Sequence, residues 1–181
     1  MARTVYLTCE LKSRDMDSRL WLAAHLLKEG VDVVVGQQWS IMQNLHHTPR
    51  GVVLFKTPNS VQVGAMLVAR KMGHIVVAMD EEVLALADPL AIRLPTDERV
   101  FDAAHVFLYQ NEAHRAIFGR QGAIVGNTRV DLLKSMHELY TAEAEACRAG
   151  GPYVLINTNC TLANSIWGDA DKALNLALTV W

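Results

Sequence analysis

Short runs of β-branched and aliphatic residues alternate with helical segments along most of the chain, and this alternation constrains the fold more than any other feature. Strands are predicted at 5–8, 31–35, 51–55, 75–78, 106–109 and 123–125, with helices over 16–29, 40–45 and 60–72 and from 96 and 112. Continuous apolar strands separated by helices are typical of a sheet buried on both faces. The sequence therefore predicts an α/β, Rossmann-like domain with a doubly wound parallel sheet.

The helical segments add more specific expectations. A long, mostly polar helix is predicted over 129–148, and Pro89 and Pro95 are expected to interrupt regular structure. The first helix should present one apolar face to the sheet. That face consists of Leu20, Leu22, Ala23, Leu26 and Leu27.

The sequence Gly150-Gly151-Pro152 is the strongest boundary signal in the chain. Residues 1–149 are predicted to form the Rossmann-like domain. Residues 150–181 resemble the opening of a second α/β domain, with a strand from 153 and a helix over 170–180, but that domain would be incomplete. If Trp181 is the natural end, the isolated chain is expected to lack catalytic activity.

Charge and composition exclude several classes of function. The 17 basic and 19 acidic residues give a net charge of −2, which argues against a nucleic-acid partner or a polybasic membrane anchor. The three cysteines have neither metal-ligand spacing nor a disulfide framework, which favours a reducing cytoplasm. No metal site or cofactor is predicted. The fingerprints of dinucleotide-binding proteins, P-loop NTPases and α/β-hydrolases are absent from the sequence.

Four polar clusters directly follow predicted strands, where ligands of open α/β sheets bind. We expect them to converge at one edge of the sheet. The clusters are Glu10, Lys12 and Arg14 after the first strand, Asp80, Glu81 and Glu82 after the fourth, Gly126, Asn127, Arg129 and Asp131 after the sixth, and Asn157 and Asn159 after the strand that opens the second domain.

Each cluster has a functional and a structural interpretation. The first could bind a sugar acid or a phosphate at a helix start, or it could be a solvated turn capped by Ser13 or Asp15. The acidic triplet could supply an acid, a base or a nucleophile, or it could be the exposed start of a helix.

The two later clusters also leave alternatives open. Arg129 could bind a carboxylate or phosphate, whereas Asp131 could simply pair with it or cap a helix. Asn157 and Asn159 could bind sugar hydroxyls or form an Asx-turn.

Taken in order, these elements resemble the bacterial surface carbohydrate biosynthesis proteins, over nearly the whole chain. The element from Gly126 to Asp131 is also similar to one in teichoic-acid glycerophosphotransferases. The matching elements are Glu10-x-Lys12-x-Arg14-x-x-Asp17, Pro49-Arg50-Gly51, Gly73-His74, Asp80-Glu81-Glu82, Gly126-Asn127-x-Arg129-x-Asp131 and Gly151-Pro152-Tyr153-x-Leu155-x-Asn157-Thr158-Asn159.

The resemblance implies the acceptor-side half of a cytoplasmic GT-B-type glycosyltransferase, with a peripheral position at the inner membrane as a further expectation. Its partners would be a nucleotide-sugar donor and a glycan or lipid-linked acceptor, and related enzymes transfer the acidic sugar Kdo from a CMP donor. Asp80, Glu81 and Asp131 are then the catalytic candidates. The substrate-binding candidates are Glu10, Lys12, Arg14, Glu82, Asn127, Arg129, Asn157 and Asn159.

The chain departs from the family pattern at two places, and two other functions compete. Family members usually carry glycine after the acidic triplet and proline before the later arginine, where this chain has Val83 and Thr128. One alternative is a truncated, non-catalytic assembly module that pairs with another chain or with itself. The other is a relative of sugar-nucleotide epimerases.

Overall fold

The computed structural model describes residues 4–83 and 89–151, and in these residues six strands form one parallel sheet. The strands are β1 (Thr4–Cys9), β2 (Asp32–Gln37), β3 (Val52–Phe55), β4 (Ile75–Met79), β5 (Val106–Tyr109) and β6 (Ala123–Ile124). Their order across the sheet is β2-β1-β3-β4-β5-β6, and all neighbouring pairs are parallel. The predicted α/β fold with a Rossmann-like parallel sheet is confirmed.

Eight α-helices and two short 3₁₀ turns are found in the described residues. The chain divides into two compact units, 1–138 and 139–181. The expected second domain falls mostly on 152–181, which lie outside the described residues. The helices are α1 (Lys12–Lys28), α2 (Gln38–Asn44), α3 (Ser60–Lys71), α4 (Pro89–Arg93), α5 (Val100–Ala103), α6 (Glu112–Phe118), α7 (Thr128–Ser135) and α8 (Thr141–Arg148), and the 3₁₀ turns are Leu45–His47 and His137–Tyr140.

Alternating side chains of the strands build separate cores on the two faces of the sheet, as the period of two requires. Tyr6, Val53 and Phe107 belong to the larger core, which α2, α3 and α5 complete. Leu7 and Leu54 face the other way, into a smaller core with Ala23 of α1 and Met79 of β4. The two faces of the sheet therefore carry apolar cores of different size, and the smaller core lies on the face covered by α1.

Asparagine side chains fix the start of three helices just after strands. The Oδ1 of Asn59 accepts the Gln62 N–H, and Asn111 and Asn127 act similarly at α6 and α7. Such caps satisfy N–H groups that a helix start leaves without a partner. They place the first turns of α3, α6 and α7 close to the carboxyl edge of the sheet.

The prediction for α1 was wrong in its start and in part of its buried face. The helix begins at Lys12, and Leu20 and Leu27 are more than half exposed. Its buried positions near the start are polar, namely Asp15, Ser18 and Arg19. The reason is that this end of the helix packs against other charged groups and not against apolar side chains.

Two further expectations were wrong. The predicted helix over 129–148 is interrupted at Met136, where φ is −130°, and continues as a 3₁₀ turn followed by α8. Pro89 does not break a helix but begins α4. Proline is well tolerated at the first helical residue because the N–H that it lacks would have no partner there.

The strand order reverses between β1 and β3. From β1 the chain moves outward to β2 and then crosses to β3 on the other side of β1, after which β4, β5 and β6 follow in order. In open α/β sheets, ligands bind in the crevice outside the carboxyl ends of the strands at such a switch point. The residues that follow β1 and β3 therefore have the best position for a site.

Two glycines provide a test of the close contact between β1 and β3. A Cβ added at Gly51 would overlap the backbone oxygen of Thr4, whereas one added at Gly64, on the exposed face of α3, would meet nothing. Gly51→Ala should therefore lower the free energy of unfolding by about 1–3 kcal/mol. Gly64→Ala should raise it by about 0.5–1 kcal/mol, because alanine favours helix. Urea denaturation measures both, and equal effects would contradict the close approach of Gly51 to Thr4.

Candidate functional site

Eight charged side chains meet at the switch point, and we call them the rim cluster. Four are acidic and four are basic, and all belong to the unit 1–138. They come from the segment after β1, from α1, from the ends of β3 and β4 and from α7. The members are Glu10, Arg14, Asp15, Arg19, Lys56, Glu81, Glu82 and Arg129.

The fully buried carboxylate of Asp15 is the centre of the cluster. Its Oδ2 accepts the backbone N–H groups of Glu10 at 2.9 Å and Leu11 at 3.1 Å. Its Oδ1 accepts hydrogen bonds from Arg14 Nε at 3.0 Å and Arg129 Nη2 at 2.9 Å. Burial alone would raise the pKa of Asp15, but these donors hold it well below its usual range. Asp15 is therefore a permanently charged anchor.

The carboxylate of Glu81 joins a second pair of arginines. Its Oε1 accepts a hydrogen bond from Arg19 Nη1 at 2.6 Å, and its Oε2 accepts one from Arg129 Nη2 at 3.3 Å. The Nε of Arg19 donates to the backbone oxygen of Thr8 in β1 at 2.9 Å. Arg19 and Glu81 are both fully buried, so each depends on the other to compensate its charge.

Glu82 closes the cluster on its solvent side, and its contacts are looser. Its Oε1 lies 3.5 Å from Arg14 Nη1, 3.7 Å from Arg129 Nη2 and 4.0 Å from Lys56 Nζ. These distances are longer than hydrogen bonds to a charged group. The Glu82 side chain is 50% exposed, and that of Arg14 is 35% exposed. Three cations thus surround one oxygen of a carboxylate that is half exposed to solvent.

Several buried donors of the cluster have no hydrogen-bond acceptor in the described part of the chain. They are Arg19 Nη2, Arg129 Nε and Lys56 Nζ. Lys56 Nζ lies 2.9 Å from Glu10 Oε2, so it has an ion-pair partner although the hydrogen-bond angle is poor. A buried donor without an acceptor costs free energy, so these unmet hydrogen bonds lower the stability of the cluster.

Asp80 lies beside the rim cluster but forms no ion pair with any of the described residues. It is 4% exposed, its Oδ1 accepts the Glu82 N–H at 3.0 Å, and its backbone oxygen accepts a hydrogen bond from Gln110 Nε2 at 2.6 Å. Burial, together with the nearby carboxylates of Glu82 and Glu81, raises the pKa of Asp80 to about 6. Asp80 is thus suited to exchange a proton near neutral pH.

The other sequence candidates fall in different places. Asn127 is buried, caps α7 and donates from Nδ2 to the backbone oxygen of Glu81 at 3.3 Å. Lys12 is exposed at the first turn of α1. Asp131 is exposed and lines a separate pocket. Asn157 and Asn159 lie outside the described residues.

The structure also tests the alternative roles of these clusters as helix caps or exposed helix starts. Ser13 and Asp15 lie inside α1, whose N-cap residue is Leu11, so neither is the N-cap that the sequence predicted, although Asp15 accepts the N–H groups of Glu10 and Leu11. An exposed helix start does not describe the acidic triplet, since Asp80 and Glu81 are buried in a turn. Thr128 is the first residue of α7, a position where the proline of the family pattern would fit equally well.

Two basic members of the rim cluster were missed from the sequence. Lys56 directly follows β3, so the rule that singled out residues after the other strands would have found it. Arg19 lies inside α1, four residues after Asp15 and therefore on the same helical face. A search of that helix for apolar periodicity alone could not reveal a buried arginine.

No model of a known protein family matches the chain, and no curated protein matches it. A solved structure from Salmonella typhimurium LT2, described as a "putative sugar binding protein", is similar at 18% identity with a TM-score of 0.46. The similarity covers 82% of this chain and 49% of that one, so the chain spans about half the length of that protein. Functional inference therefore depends on the residues of this chain.

Within 4–83 and 89–151, no group of three or more histidine, cysteine, aspartate or glutamate side chains is arranged to bind a metal ion. None of the helices in this described portion is both long enough and apolar enough to cross a membrane.

The raised pKa of Asp80 predicts a pH dependence of stability. An unfolded aspartate has a pKa of about 3.9, so the folded chain binds this proton more tightly and its stability falls as pH rises from about 4 to about 6. Asp80→Asn keeps the acceptor for the Glu82 N–H but removes the charge. Relative to the wild type, the variant should gain about 2–3 kcal/mol of unfolding free energy between pH 4 and pH 7. Urea titrations across this range measure the difference.

Asp97→Asn provides a control of opposite sign. Hydrogen bonds from Arg99 lower the pKa of Asp97, so the stability that its charge contributes is lost as pH falls. Relative to the wild type, Asp97→Asn should therefore lose unfolding free energy between pH 4 and pH 7, whereas Asp80→Asn should gain it. A difference for Asp80→Asn that does not vary with pH would contradict the assignment.

Proposed function

We propose that this chain is the acceptor-side Rossmann-like domain of a GT-B-type glycosyltransferase of bacterial surface polysaccharide synthesis, and that its rim cluster binds the carboxylate or phosphate of an acidic sugar. The observation that carries this proposal is the position of Glu82 Oε1 among Arg14, Arg129 and Lys56. This group is at the switch point of the sheet, where ligands of such folds bind.

Glu82 occupies the position that a ligand anion would take. The rim cluster contains four carboxylates and four cations, so displacement of Glu82 into solvent leaves one positive charge in excess. A carboxylate of the ligand restores the balance by taking the place of Glu82 among Arg14, Arg129 and Lys56. The buried ion pair between Glu81 and Arg19 need not change, because it does not involve the three cations around Glu82 Oε1.

Within this proposal the acidic residues have different roles. Asp80 donates or accepts the proton of the reaction, since its pKa of about 6 allows both forms near neutral pH. Glu81 and Asp15 orient Arg129 from two sides. Asp131 makes no ion pair with the rim cluster in the described residues, and it borders the separate pocket. The nucleotide-sugar donor would bind mainly to the domain that begins after Gly150.

Calorimetry with acidic and neutral sugars tests the proposal directly. The chain should bind Kdo or glucuronate measurably better than glucose, and binding should weaken as salt is added. Glu82→Gln should tighten binding of the acidic sugar by about tenfold, because the competing carboxylate is gone. Arg14→Met should weaken it by roughly tenfold or more, because it removes a charge-assisted hydrogen bond.

Arg93→Met is the matched control, since Arg93 forms an exposed ion pair with Glu98 away from the rim cluster. This variant should bind as the wild type does. Equal affinity for glucose and the acidic sugars, or weaker binding by Glu82→Gln, would reject the proposal. Failure of every sugar to bind would instead favour the non-catalytic assembly module.

A further inference from the structure

The pocket that Asp131 borders has a volume of about 490 Å³ and lies beside Arg129 of the rim cluster, on the face of the sheet that carries α1. One wall is α1, the floor is the carboxyl half of β3, β4 and β5, and the other wall is the segment from the end of β6 into α7. Its size is within the range of small-molecule sites. The lining residues are Trp21, Leu22, His25, Leu54, Met79, Leu108, Val125, Gly126, Thr128 and Asp131.

Most of the surface of this pocket is hydrocarbon. Leu54, Met79 and Leu108 form the floor, and they belong to the smaller core of the sheet or pack against it. The Trp21 ring meets His25 edge-on, with 4.6 Å between ring centroids. A sugar ring fits such a surface poorly, because its hydroxyl groups would lose water without finding partners. The aliphatic floor favours a flexible hydrocarbon chain.

Polar groups are concentrated at one side of the pocket. Thr128 and Asp131 come from the first turn of α7, and the Thr128 hydroxyl is buried without a hydrogen-bond partner in the described residues. This side also adjoins the rim cluster through the backbone, since Thr128 precedes Arg129. A ligand could therefore place its apolar part in the pocket and its polar part at the rim.

We infer that this pocket binds the hydrocarbon chain of an amphipathic ligand whose polar group lies toward Thr128 and the rim cluster. The identity of that polar group rests on the proposed function, under which the ligand is an acceptor sugar joined to a hydrocarbon chain. The pocket itself depends only on the geometry of α1, the sheet and α7.

A series of hexyl, octyl and decyl β-glucosides, each below its micellar concentration, tests the inference by calorimetry. Burial of each added methylene should lower Kd by about fourfold until the pocket is filled, with glucose as the reference without a chain. Val125→Trp places a large side chain at the pocket edge, where Val125 is half exposed, and should abolish the dependence on chain length. Leu133→Trp, on the exposed side of α7 and outside the lining, should preserve it.

The outcomes separate this inference from the proposed function. Dependence on chain length that disappears in Val125→Trp supports the pocket, and it does so even if Arg14→Met leaves the binding of Kdo or glucuronate unchanged, a result that counts against the acidic-sugar site. An affinity that does not vary with chain length overturns the inference, whether or not acidic sugars bind. Sedimentation of wild type and Val125→Trp gives a second check, because self-association that requires an open pocket would assign it to another copy of this chain and overturn the inference.

Discussion

Four fully buried charges, those of Asp15, Arg19, Lys56 and Glu81, hold the carboxyl edge of this sheet together. They join the residues after β1, β3 and β4 to α1, and Arg129 extends the connection to α7. Removing one member of such a network leaves its partner charged and buried, which costs far more than the loss of an exposed ion pair. The geometry of the edge is therefore set by charge complementarity rather than by apolar packing.

This arrangement explains how an edge of loops and helix starts can be a preformed site. Asp15 and Glu81 both accept hydrogen bonds from Nη2 of Arg129, so a ligand would meet this guanidinium already oriented. Glu82 belongs to the same cluster but is half exposed and makes only long contacts. The cluster thus combines a fully buried interior with one half-exposed carboxylate, and the apolar pocket begins at Thr128, next to Arg129.

Most of the fold could be predicted from the sequence because its strands are apolar, β-branched runs and three of its helices begin at capping asparagines. The convergence of Arg14, Glu81 and Arg129 also followed from the rule that carboxyl ends of parallel strands share one edge. Arg19 could not be found in this way, because its burial depends on Glu81, which is 62 residues away in the sequence. The place of Asp131 in the apolar pocket likewise depends on how α7 packs beside α1, which local patterns do not encode.

A double-mutant cycle between Arg19 and Glu81 tests the central claim most directly. Arg19→Met should cost about 3–5 kcal/mol of unfolding free energy, and Arg19→Met combined with Glu81→Gln should cost at least about 2 kcal/mol less than the sum of the two single variants. The same cycle at the exposed pair Arg93 and Glu98 should give a coupling below about 1 kcal/mol. Additivity within about 0.5 kcal/mol at Arg19 and Glu81 would contradict the account, because the buried charges would then not depend on each other.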